Sequence, residues 1–253
     1  MKIYQIAFSP TGGTKKISEI LTNALDGEVV QVDMTNSKTD YHSVELTQED
    51  LAVIAVPSYG GRVPSVASER LNMIYGNGAR AVLICVYGNR AYEDTLVELQ
   101  DITKQSNFQV IAAISAISEH SIVLHYAAGR PDSSDSEQLS KFAKQIHKKI
   151  INGNTNEPAI PGNRPYKKAG GAGMVPKPNK DCIKCGVCAT ECPVQAIDYN
   201  NPKKANSNTC ISCMRCVSVC PHSARKVSPV MLSAAGLMLK KVCSDRKECE
   251  LFL

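Results

Sequence analysis

The first 150 residues of the chain alternate between short apolar runs and longer segments in which apolar residues recur every three or four positions. A short apolar run is typical of a strand, and the longer period is typical of a helix that buries one face. All but one of the strand candidates are almost continuously apolar, which predicts burial on both faces. The predicted strands are Lys2–Phe8, Glu28–Val32 (the less apolar one), Leu51–Val56, Ala79–Tyr87 and Phe108–Ile117.

Three helical segments between and after these strands each carry one apolar face. The faces consist of Ile17, Ile20, Leu21 and Ala24, then Tyr92, Leu96, Leu99 and Ile102, then Leu139, Phe142, Ala143, Ile146 and Ile150. Asp135 is the expected N-cap of the third helix. Strands that alternate with helices form a parallel sheet with helices on both sides, because the crossovers are right-handed. We therefore predict an α/β fold with a doubly wound, five-stranded parallel sheet in the order 2-1-3-4-5.

The composition changes between Asn152 and Lys180, where five prolines are interleaved with glycines. The prolines are Pro158, Pro161, Pro165, Pro176 and Pro178, and the glycines include Gly153, Gly162 and the run Gly170-Gly171-Ala172-Gly173. This composition favours neither helix nor strand and predicts a linker, which either moves freely or packs along the surfaces that it joins. The expected regions are a first domain at 1–151, the linker at 152–180, a small domain at 181–230 and a helical tail at 231–253.

The small domain contains an internal duplication built on cysteine. The motif C-x-x-C-x-x-C-x-x-x-C-P occurs twice, with an offset of 28 residues. The first copy is Cys182, Cys185, Cys188, Cys192 and Pro193, and the second is Cys210, Cys213, Cys216, Cys220 and Pro221. Few large apolar side chains lie in this stretch, so its stability must come largely from bound metal.

The spacing within each copy predicts iron–sulfur ligation. Three closely spaced thiolates surround one face of a cubane, and the fourth cysteine lies too far round to close the same cluster and ligates the other one. We therefore predict two [4Fe–4S] clusters, called cluster I and cluster II below. Cluster I takes Cys182, Cys185, Cys188 and Cys220, and cluster II takes Cys210, Cys213, Cys216 and Cys192.

Zinc and disulfides are the alternatives for these cysteines. Zinc sites usually use two separated C-x-x-C pairs without a tight third cysteine or the trailing proline. The full set of eight cysteines also argues against a [3Fe–4S] variant. With its eight cysteines at this spacing, the stretch resembles the bacterial two-cluster ferredoxins. Cys85, Cys243 and Cys249 complete no ligand set; Cys85 is expected in the core, and the other two on a terminal helix.

The net charge of +5 is unevenly distributed along the chain. Residues 1–150 hold 14 Lys/Arg against 17 Asp/Glu, whereas residues 151–253 hold 15 against 7. This basic half favours redox-protein partners with an acidic docking surface, since no basic amphipathic helix or aromatic repeat points to nucleic acid or lipid. We predict a cytoplasmic protein, because the chain shows no signal-peptide pattern and its thiolates must stay reduced. The thiolates also suggest an anaerobic cell. No apolar run is long enough to span a membrane, so no transmembrane segment is expected.

The loop after the first predicted strand has the chemistry of a phosphate site. Ser9-Pro10-Thr11-Gly12-Gly13-Thr14 leads directly into a helix, so hydroxyl groups, glycine amides and a helix N-terminus surround one point. The chain has no G-x-x-x-x-G-K-[ST] motif, which excludes a loop of the triphosphate-hydrolysing type. Gly76-Asn77-Gly78-Ala79-Arg80-Ala81 matches a dinucleotide fingerprint in letters only, because it precedes a strand instead of following one.

Two further loops follow strands three and four, at the edge where doubly wound folds bind ligands. They are Pro57-Ser58-Tyr59-Gly60-Gly61-Arg62-Val63-Pro64 and Gly88-Asn89-Arg90-Ala91-Tyr92. Each offers a tyrosine that can cover a flat ring, beside glycines that allow close approach of the backbone. Either tyrosine alone is more simply a half-buried loop aromatic. The predicted cofactor-binding residues are Ser9, Thr11, Gly12, Gly13, Thr14, Ser58, Tyr59, Gly60, Gly61, Gly88, Asn89, Arg90 and Tyr92.

Together the three loops resemble those of flavodoxins, whose phosphate loop follows the pattern [ST]-x-T-G-x-T; Ser9, Thr11, Gly12 and Thr14 match it. The resemblance implies that FMN binds here, with its phosphate at residues 9–14 and its ring between Tyr59 and Tyr92. It also places Gly60 and Gly61 at the peptide that turns its carbonyl toward the ring on reduction. The whole chain resembles the flavodoxin–ferredoxin fusion proteins of anaerobic bacteria and archaea.

Some charged and polar groups near the predicted flavin differ from the flavodoxin pattern or have a simpler role. Arg62 and Arg90 are basic where many flavodoxins are acidic, which should raise the flavin potential. His120 could donate a proton or line a pocket, but a loop histidine satisfied by its neighbours is the simpler interpretation. Asp132, Asp135 and Glu137 are expected to be helix-start and solvent-facing charges.

Three redox centres in one chain predict an electron-transfer protein that relays electrons between FMN, two clusters and redox-protein partners. No nucleophile–base pair, catalytic carboxylate pair or nicotinamide motif is visible, so we predict no catalytic residues and whether the chain is an enzyme stays open. The alternative is an FMN-dependent oxidoreductase that reduces a small acceptor, a quinone or a metal complex, with the clusters as its electron feed. A module that has lost FMN and serves only as a docking platform is a third possibility.

Overall fold

The structure, a computed structural model, describes residues 1–170 and 173–253; Gly171 and Ala172 of the predicted linker lie outside the described residues. The strands are β1 (Lys2–Ala7), β2 (Glu28–Asp33), β3 (Leu51–Pro57), β4 (Arg80–Tyr87), β5 (Gln109–Ile117), β6 (Lys177–Pro178), β7 (Arg225–Lys226) and β8 (Glu250–Phe252). The helices are α1 (Gly13–Thr22), α2 (Ser65–Leu71), α3 (Thr95–Gln105), α4 (Ser133–Ile151), α5 (Val187–Thr190), α6 (Arg215–Ser218) and α7 (Pro229–Cys243).

Five parallel strands form the centre of the N-terminal domain in the order β2-β1-β3-β4-β5, as predicted. Most side chains of the inner strands are fully buried, which explains why their sequences are apolar without alternation. Helices α1 and α4 cover one face of the sheet, whereas α2 and α3 cover the other. The carboxyl ends of β1, β3 and β4 lie side by side and bring the three candidate loops to one edge.

The C-terminal segment adds a sixth strand to this sheet. β8 pairs antiparallel with β5, with Ser115 opposite Glu250 and Ala113 opposite Phe252. The expected helical tail is therefore wrong for its last residues, since α7 ends at Cys243 and Cys249 lies between that helix and β8. The physical reason is that β5 would otherwise leave unpaired backbone groups along the edge of the sheet, and a short strand satisfies them.

The N-terminus of α4 is built differently from the expectation. Asp132, not Asp135, is the N-cap: its side chain accepts a hydrogen bond from Asp135 N, and Asp135 accepts one from Asp132 N in return. Asp135 is fully buried and forms a bidentate ion pair with Arg130, which is also buried. The expectation of a solvent-facing Asp135 is therefore wrong, because a buried arginine needs this carboxylate as its partner.

The linker packs along the N-terminal domain. The expectation that it contains no strand is wrong at its end, where β6 pairs antiparallel with β7 of the cluster domain. Asp94, which is buried, accepts hydrogen bonds from the backbone of Asn163 and of Lys167 at 2.8 and 2.7 Å. Arg164 forms an ion pair with Asp101 on α3 at 2.7 Å. The hydrogen bond from Lys167 N holds the pKa of Asp94 below its usual value, and the one from Arg164 does the same for Asp101. Residues 163–167 are thus fixed to the surface that they cross.

The cysteine-rich domain shows the duplication in its backbone. Three pairs of residues at the 28-residue offset share a positive φ: Lys184 and Ser212, Gly186 and Met214, Gln195 and Ser223. In both copies the motif's last cysteine accepts a hydrogen bond at 3.3 Å, from Ala196 N to Cys192 Sγ and from Ala224 N to Cys220 Sγ.

Among the described residues, no helix is both long and apolar enough to cross a membrane.

Candidate cofactor sites

The loop after β1 forms a cup of donors at the start of α1. Gly12, with φ +93°, makes the turn into the helix, a conformation that favours glycine. Ser9 fixes the loop from both sides, since its backbone N–H donates to Thr35 Oγ1 and its Oγ accepts from Lys15 N, both at 2.8 Å. Thr11 and Gly12 are exposed at the rim of the cup, and Thr14 is buried behind it.

Several donors in this cup have no partner within the described chain. The backbone N–H groups of Thr11, Gly13 and Thr14 donate to no described residue, and they belong to one loop at a helix N-terminus. Unpaired amides at such a position are suited to a phosphate dianion. Gly13 has no room for a side chain here, because an added Cβ would lie 2.6 Å from Ser118 Oγ. The loop therefore fits the phosphate group of FMN.

The loop after β3 is a tight turn from Tyr59 to Arg62. Gly60 and Gly61 have φ values of +62° and +85°, and Tyr59 and Arg62 exchange two backbone hydrogen bonds across the turn. These are the torsions of a type I′ turn, in which glycine is favoured at both central positions. A Cβ on Gly61 would overlap Glu93. The Gly61 carbonyl accepts a hydrogen bond from Asp94 N, whereas no described residue donates to the Gly60 carbonyl.

The two candidate ring-covering tyrosines have different surroundings. Tyr59 is half-buried against the core beneath α2 and α3, and burial together with the nearby Cys213 raises the pKa of its phenol. Tyr92 packs against Tyr87 at 5.4 Å between ring centroids and donates to Glu250 Oε2 of β8 at 3.2 Å. Tyr59 thus points to the cluster domain, while Tyr92 is held by the C-terminal strand.

The C-terminal segment also holds the loop after β4. The Asn89 amide donates to the carbonyls of Cys243 and Asp245 at 2.8 Å each. The Lys247 ammonium donates to the carbonyls of Asn89, Arg90 and Val242. Gly88 lies against His120, so that an added Cβ would come within 2.9 Å of that side chain. Residues 243–247 therefore fix the predicted flavin loop from outside.

The two arginines beside the predicted flavin are both paired. Arg62 forms a bidentate ion pair with Glu98 at 2.7 Å, donates to Lys167 O and lies over the Tyr166 ring. Arg90 pairs with Glu93 at 3.0 Å. Since each carboxylate compensates the positive charge, the expected rise of the flavin potential is smaller than two free arginines would give.

Ser58 and His120 are held by their neighbours. Ser58 Oγ lies 2.7 Å from Thr95 Oγ1 at the start of α3. His120 Nδ1 accepts from the backbone N–H groups of Ile122 and Val123 at 3.2 and 3.1 Å, and burial lowers the pKa of its imidazole. The neutral ring therefore carries its proton on Nε2. This arrangement supports the simpler interpretation of a loop histidine satisfied by its neighbours.

The eight motif cysteines surround two cavities in the predicted sets. Cys182, Cys185, Cys188 and Cys220 line one cavity, and Cys192, Cys210, Cys213 and Cys216 line the other. Among the described residues no three His, Cys, Asp or Glu side chains are close enough to share a single metal ion. Cysteines spread around a cavity fit a cubane better than one zinc ion, whose four ligands must converge on one point.

The cluster II set is the more enclosed. Cys213 and Cys216 are buried, and burial raises the pKa of their thiols to about 12 and about 11. Cys185 of the cluster I set is exposed. Burial also raises the pKa of Cys220, but hydrogen bonds from the backbone of Ala224, His222 and Arg225 outweigh it and leave the pKa lowered. Coordination to iron keeps such thiols deprotonated.

The cluster domain contacts the N-terminal domain on its cluster II side. Val194 and Ile211 pack against the core beneath α2 and α3. Arg70 donates to Pro193 O at 2.6 Å, and Arg215 donates to Pro10 O of the phosphate loop at 3.3 Å. Pro193 and Arg215 are the direct chain neighbours of Cys192 and Cys216.

Sequence reasoning missed several of these residues. Thr35, Ser118, Arg70 and Arg215 lie far along the chain from the motifs that they support, and none stands in a spacing that a single sequence can reveal. Arg225 is different, because the repeat makes it visible: its counterpart 28 residues earlier is Ile197. An arginine that replaces an isoleucine in a duplicated motif is a signal that the sequence alone contains.

Comparison with known proteins identifies the C-terminal motif. Residues 181–224 match the family model described as a 4Fe-4S dicluster domain. A polyferredoxin, MvhB, from Methanothermobacter marburgensis is 28% identical over 76 residues, which are 30% of this chain but 18% of that protein. MvhB from Methanothermobacter thermautotrophicus is 33% identical over 70 residues, 28% of this chain and 17% of that one. The chain therefore spans less than a fifth of these relatives.

Solved structures resemble the N-terminal part in fold alone. A flavodoxin from the domain Archaea is 13% identical, with a TM-score of 0.43, over 60% of this chain and 99% of the flavodoxin. The strand order and the placement of the loops, seen in the structure itself, are those of a flavodoxin-like domain and support FMN as its cofactor. Residues 181–224 are a dicluster ferredoxin domain, which holds two [4Fe–4S] clusters. The chain thus joins a flavodoxin-like domain to a dicluster ferredoxin domain.

Proposed function

We propose that the chain relays electrons between FMN, held at the carboxyl edge of the N-terminal sheet, and two [4Fe–4S] clusters that exchange electrons with redox-protein partners. The observation that carries this proposal is the contact between the domains. The cluster II cysteines lie on the side of the ferredoxin domain that packs against Tyr59 and the phosphate loop. That packing supports the order FMN, cluster II, cluster I, outside partner.

The residues proposed for FMN are the thirteen predicted from the sequence. FMN, when bound, supplies a centre that takes up one or two electrons, whereas each cluster takes one. The amides at Thr11, Gly13 and Thr14, which donate to no described residue, support phosphate binding. The Gly60 carbonyl, to which no described residue donates, is available to the ring. Asn89 and Tyr92 belong to this set through their loop, although their side chains are bonded to the C-terminal segment.

The ligand sets proposed for the clusters are those of the two cavities. The exposed Cys185 supports cluster I as the centre nearest to a partner. A groove of the ferredoxin domain is lined by Lys177, Lys180, Lys203 and Lys204, and Asp198 is the one acidic residue among its lining. None of these lysines forms an ion pair with a described carboxylate. Such a surface fits an acidic redox protein, whose docking it would steer and orient.

The proposed regions are an FMN-binding domain at 1–151, a linker at 152–180, the cluster domain at 181–230 and a C-terminal segment at 231–253. The last residues of the linker are joined to the cluster domain, because β6 pairs with β7. Eight thiolates that must stay reduced support the cytoplasm of an anaerobic cell as the place of action.

The alternative of an FMN-dependent oxidoreductase for a quinone or a metal complex has less support. In an enzyme of this kind, Arg62 and His120 would line the substrate pocket. Arg62 is bound to Glu98 and to the linker, and the Nδ1 of His120 is bound to the backbone. Steady-state turnover with menadione or a ferric chelate tests this alternative. Fast turnover with one such acceptor would favour the enzyme.

A stopped-flow experiment tests the relay. The anaerobic, oxidised protein is mixed with a reduced acidic ferredoxin, and cluster and flavin absorbance are followed separately. We expect the flavin to be reduced after the clusters, and a Cys213→Ser variant that keeps FMN to reduce its flavin at least about a hundredfold more slowly. A Cys243→Ser variant is the matched control, since Cys243 belongs to neither ligand set. Equal rates in the wild type and Cys213→Ser would refute the proposed order.

A further inference from the structure

Arg225 is a buried arginine without an acidic partner. It is 2% exposed, and no carboxylate of the described residues forms an ion pair with it. Its two terminal nitrogens donate to backbone carbonyls, one to Pro176 O at 2.8 Å and the other to Pro202 O. A buried positive charge is costly unless a negative charge compensates it. Two neutral carbonyls satisfy its hydrogen bonds but not its charge.

The place of Arg225 indicates where the compensating charge comes from. Of the described residues, it is the one that lines both cysteine cavities. It follows Cys220 by five positions, and Cys220 belongs to the cluster I set although it lies in the second copy of the motif. The guanidinium therefore lies between the two cluster sites, each of which carries four thiolates.

The internal repeat shows that packing alone does not require an arginine here. Ile197, the counterpart in the first copy, is also buried and lines the cluster II cavity, and it forms a β-bridge with Ala205 just as Arg225 pairs with Pro178. An isoleucine thus occupies the same position in one half of the domain. Arginine in the other half adds a charge and two hydrogen bonds that isoleucine does not supply.

We propose that Arg225 is a fixed positive charge shared by the two clusters, which raises the reduction potential of both. Reduction adds one electron to a cluster and breaks no bond. A nearby positive charge stabilises this added negative charge, and more strongly inside the protein than in water. One side chain therefore raises the reduction potentials of the two clusters together. The inference concerns the ferredoxin domain and holds whether or not the flavin takes part in the relay.

Redox titration of the full chain, followed by the electron paramagnetic resonance of the reduced clusters, tests the proposal. Arg225→Gln removes the charge but keeps hydrogen-bond donors, whereas Arg225→Lys keeps the charge. We expect Arg225→Gln to lower the reduction equilibrium constant of both clusters by about tenfold or more, ~59 mV for a one-electron couple, and Arg225→Lys to stay within about threefold of the wild type. Lys226→Gln removes a charge one residue away in solvent and should change little.

If a variant does not assemble its clusters, its iron content shows whether the charge of Arg225 or its hydrogen bonds are required. Loss of iron in Arg225→Gln but not in Arg225→Lys also supports the proposal, because the charge is then required to hold the clusters. Unchanged potentials in Arg225→Gln would overturn it, as would a shift confined to one cluster. Equal shifts or equal loss of iron in the Lys and Gln variants would show that the hydrogen bonds of the guanidinium fork matter and its charge does not.

Discussion

Gly13 in the phosphate loop gives the sharpest steric prediction. A Cβ at this position would lie 2.6 Å from Ser118 Oγ and 3.1 Å from Ser118 Cβ, so one of the two segments must move. Overpacking of this kind costs about 1–3 kcal/mol. Gly13 begins α1 without a positive φ, so alanine itself would favour the helix by about 0.5–1 kcal/mol if there were room. Because the cost of the clash exceeds the gain in helix propensity, Gly13→Ala should destabilise the loop.

Gly13→Ala should therefore weaken FMN binding, because the loop moves away from Ser118 and its amides no longer converge. If the full 1–3 kcal/mol appears in binding, the Kd for FMN rises about 5- to 150-fold. This Kd can be measured by titrating the FMN-depleted protein with FMN and recording the quenching of flavin fluorescence. Ser118→Gly should relieve the clash, so the double variant should bind FMN within about threefold of Ser118→Gly alone.

The double-mutant cycle is the control for this reasoning. A coupling energy of about 1–3 kcal/mol between positions 13 and 118 is expected in the affinity for FMN. If Gly13→Ala binds FMN as tightly as the wild type, the loop does not take the phosphate as proposed. If the double variant is no better than Gly13→Ala, the contact with Ser118 is not the cause.

Three further predictions concern the surroundings of the site. Asp135→Asn breaks the buried pair with Arg130 and should lower the free energy of unfolding by about 3–5 kcal/mol in urea titrations followed by circular dichroism. Asp94→Asn removes the carboxylate that binds the linker, so amide hydrogens of residues 163–167 should exchange faster at pH 7 by mass spectrometry. Lys247→Met releases three carbonyls and should loosen the loop at 88–92, which lowers FMN affinity in the fluorescence titration.

Two of these variants have a control variant close by in the chain. Glu137→Gln on α4 is exposed and should change stability by less than about 0.5 kcal/mol. Lys241→Met, exposed on α7, should leave FMN affinity unchanged. The pKa of Asp94 lies below its unfolded value, so its contribution is present above about pH 4 and is lost as the pH falls through the folded pKa. Unchanged exchange in Asp94→Asn would mean that the linker is held by other contacts.

Local patterns predicted the strands and the cluster ligands well, for physical reasons. A strand buried on both faces must be apolar throughout, so Leu51–Pro57 and Arg80–Tyr87 could be recognised from their composition. The cysteine spacing reports ligation because one cubane needs several thiolates from a short stretch. Each of these two signals is carried by residues that lie close together in the chain.

The features that the sequence did not predict depend on long-range contacts. The sequence predicts a positive charge at Arg62 beside the flavin but not its partners: Glu98 lies 36 residues along the chain on α3, and Tyr166 of the linker stacks on the guanidinium. Asp132 rather than Asp135 caps α4, because the carboxylate of Asp135 is paired with Arg130. The strand at Glu250–Phe252 is too short to be recognised without the edge that it covers. These features depend on which distant residues pack together, and a single sequence does not show this.

The cofactor content of anaerobically purified protein tests whether one chain carries both FMN and two clusters. We expect about eight irons per chain, as two cubanes require, together with one FMN released on denaturation and flavin absorption above the broad cluster band. Irons without flavin would contradict the proposed role of the N-terminal domain. Flavin with only about four irons would contradict the two ligand sets.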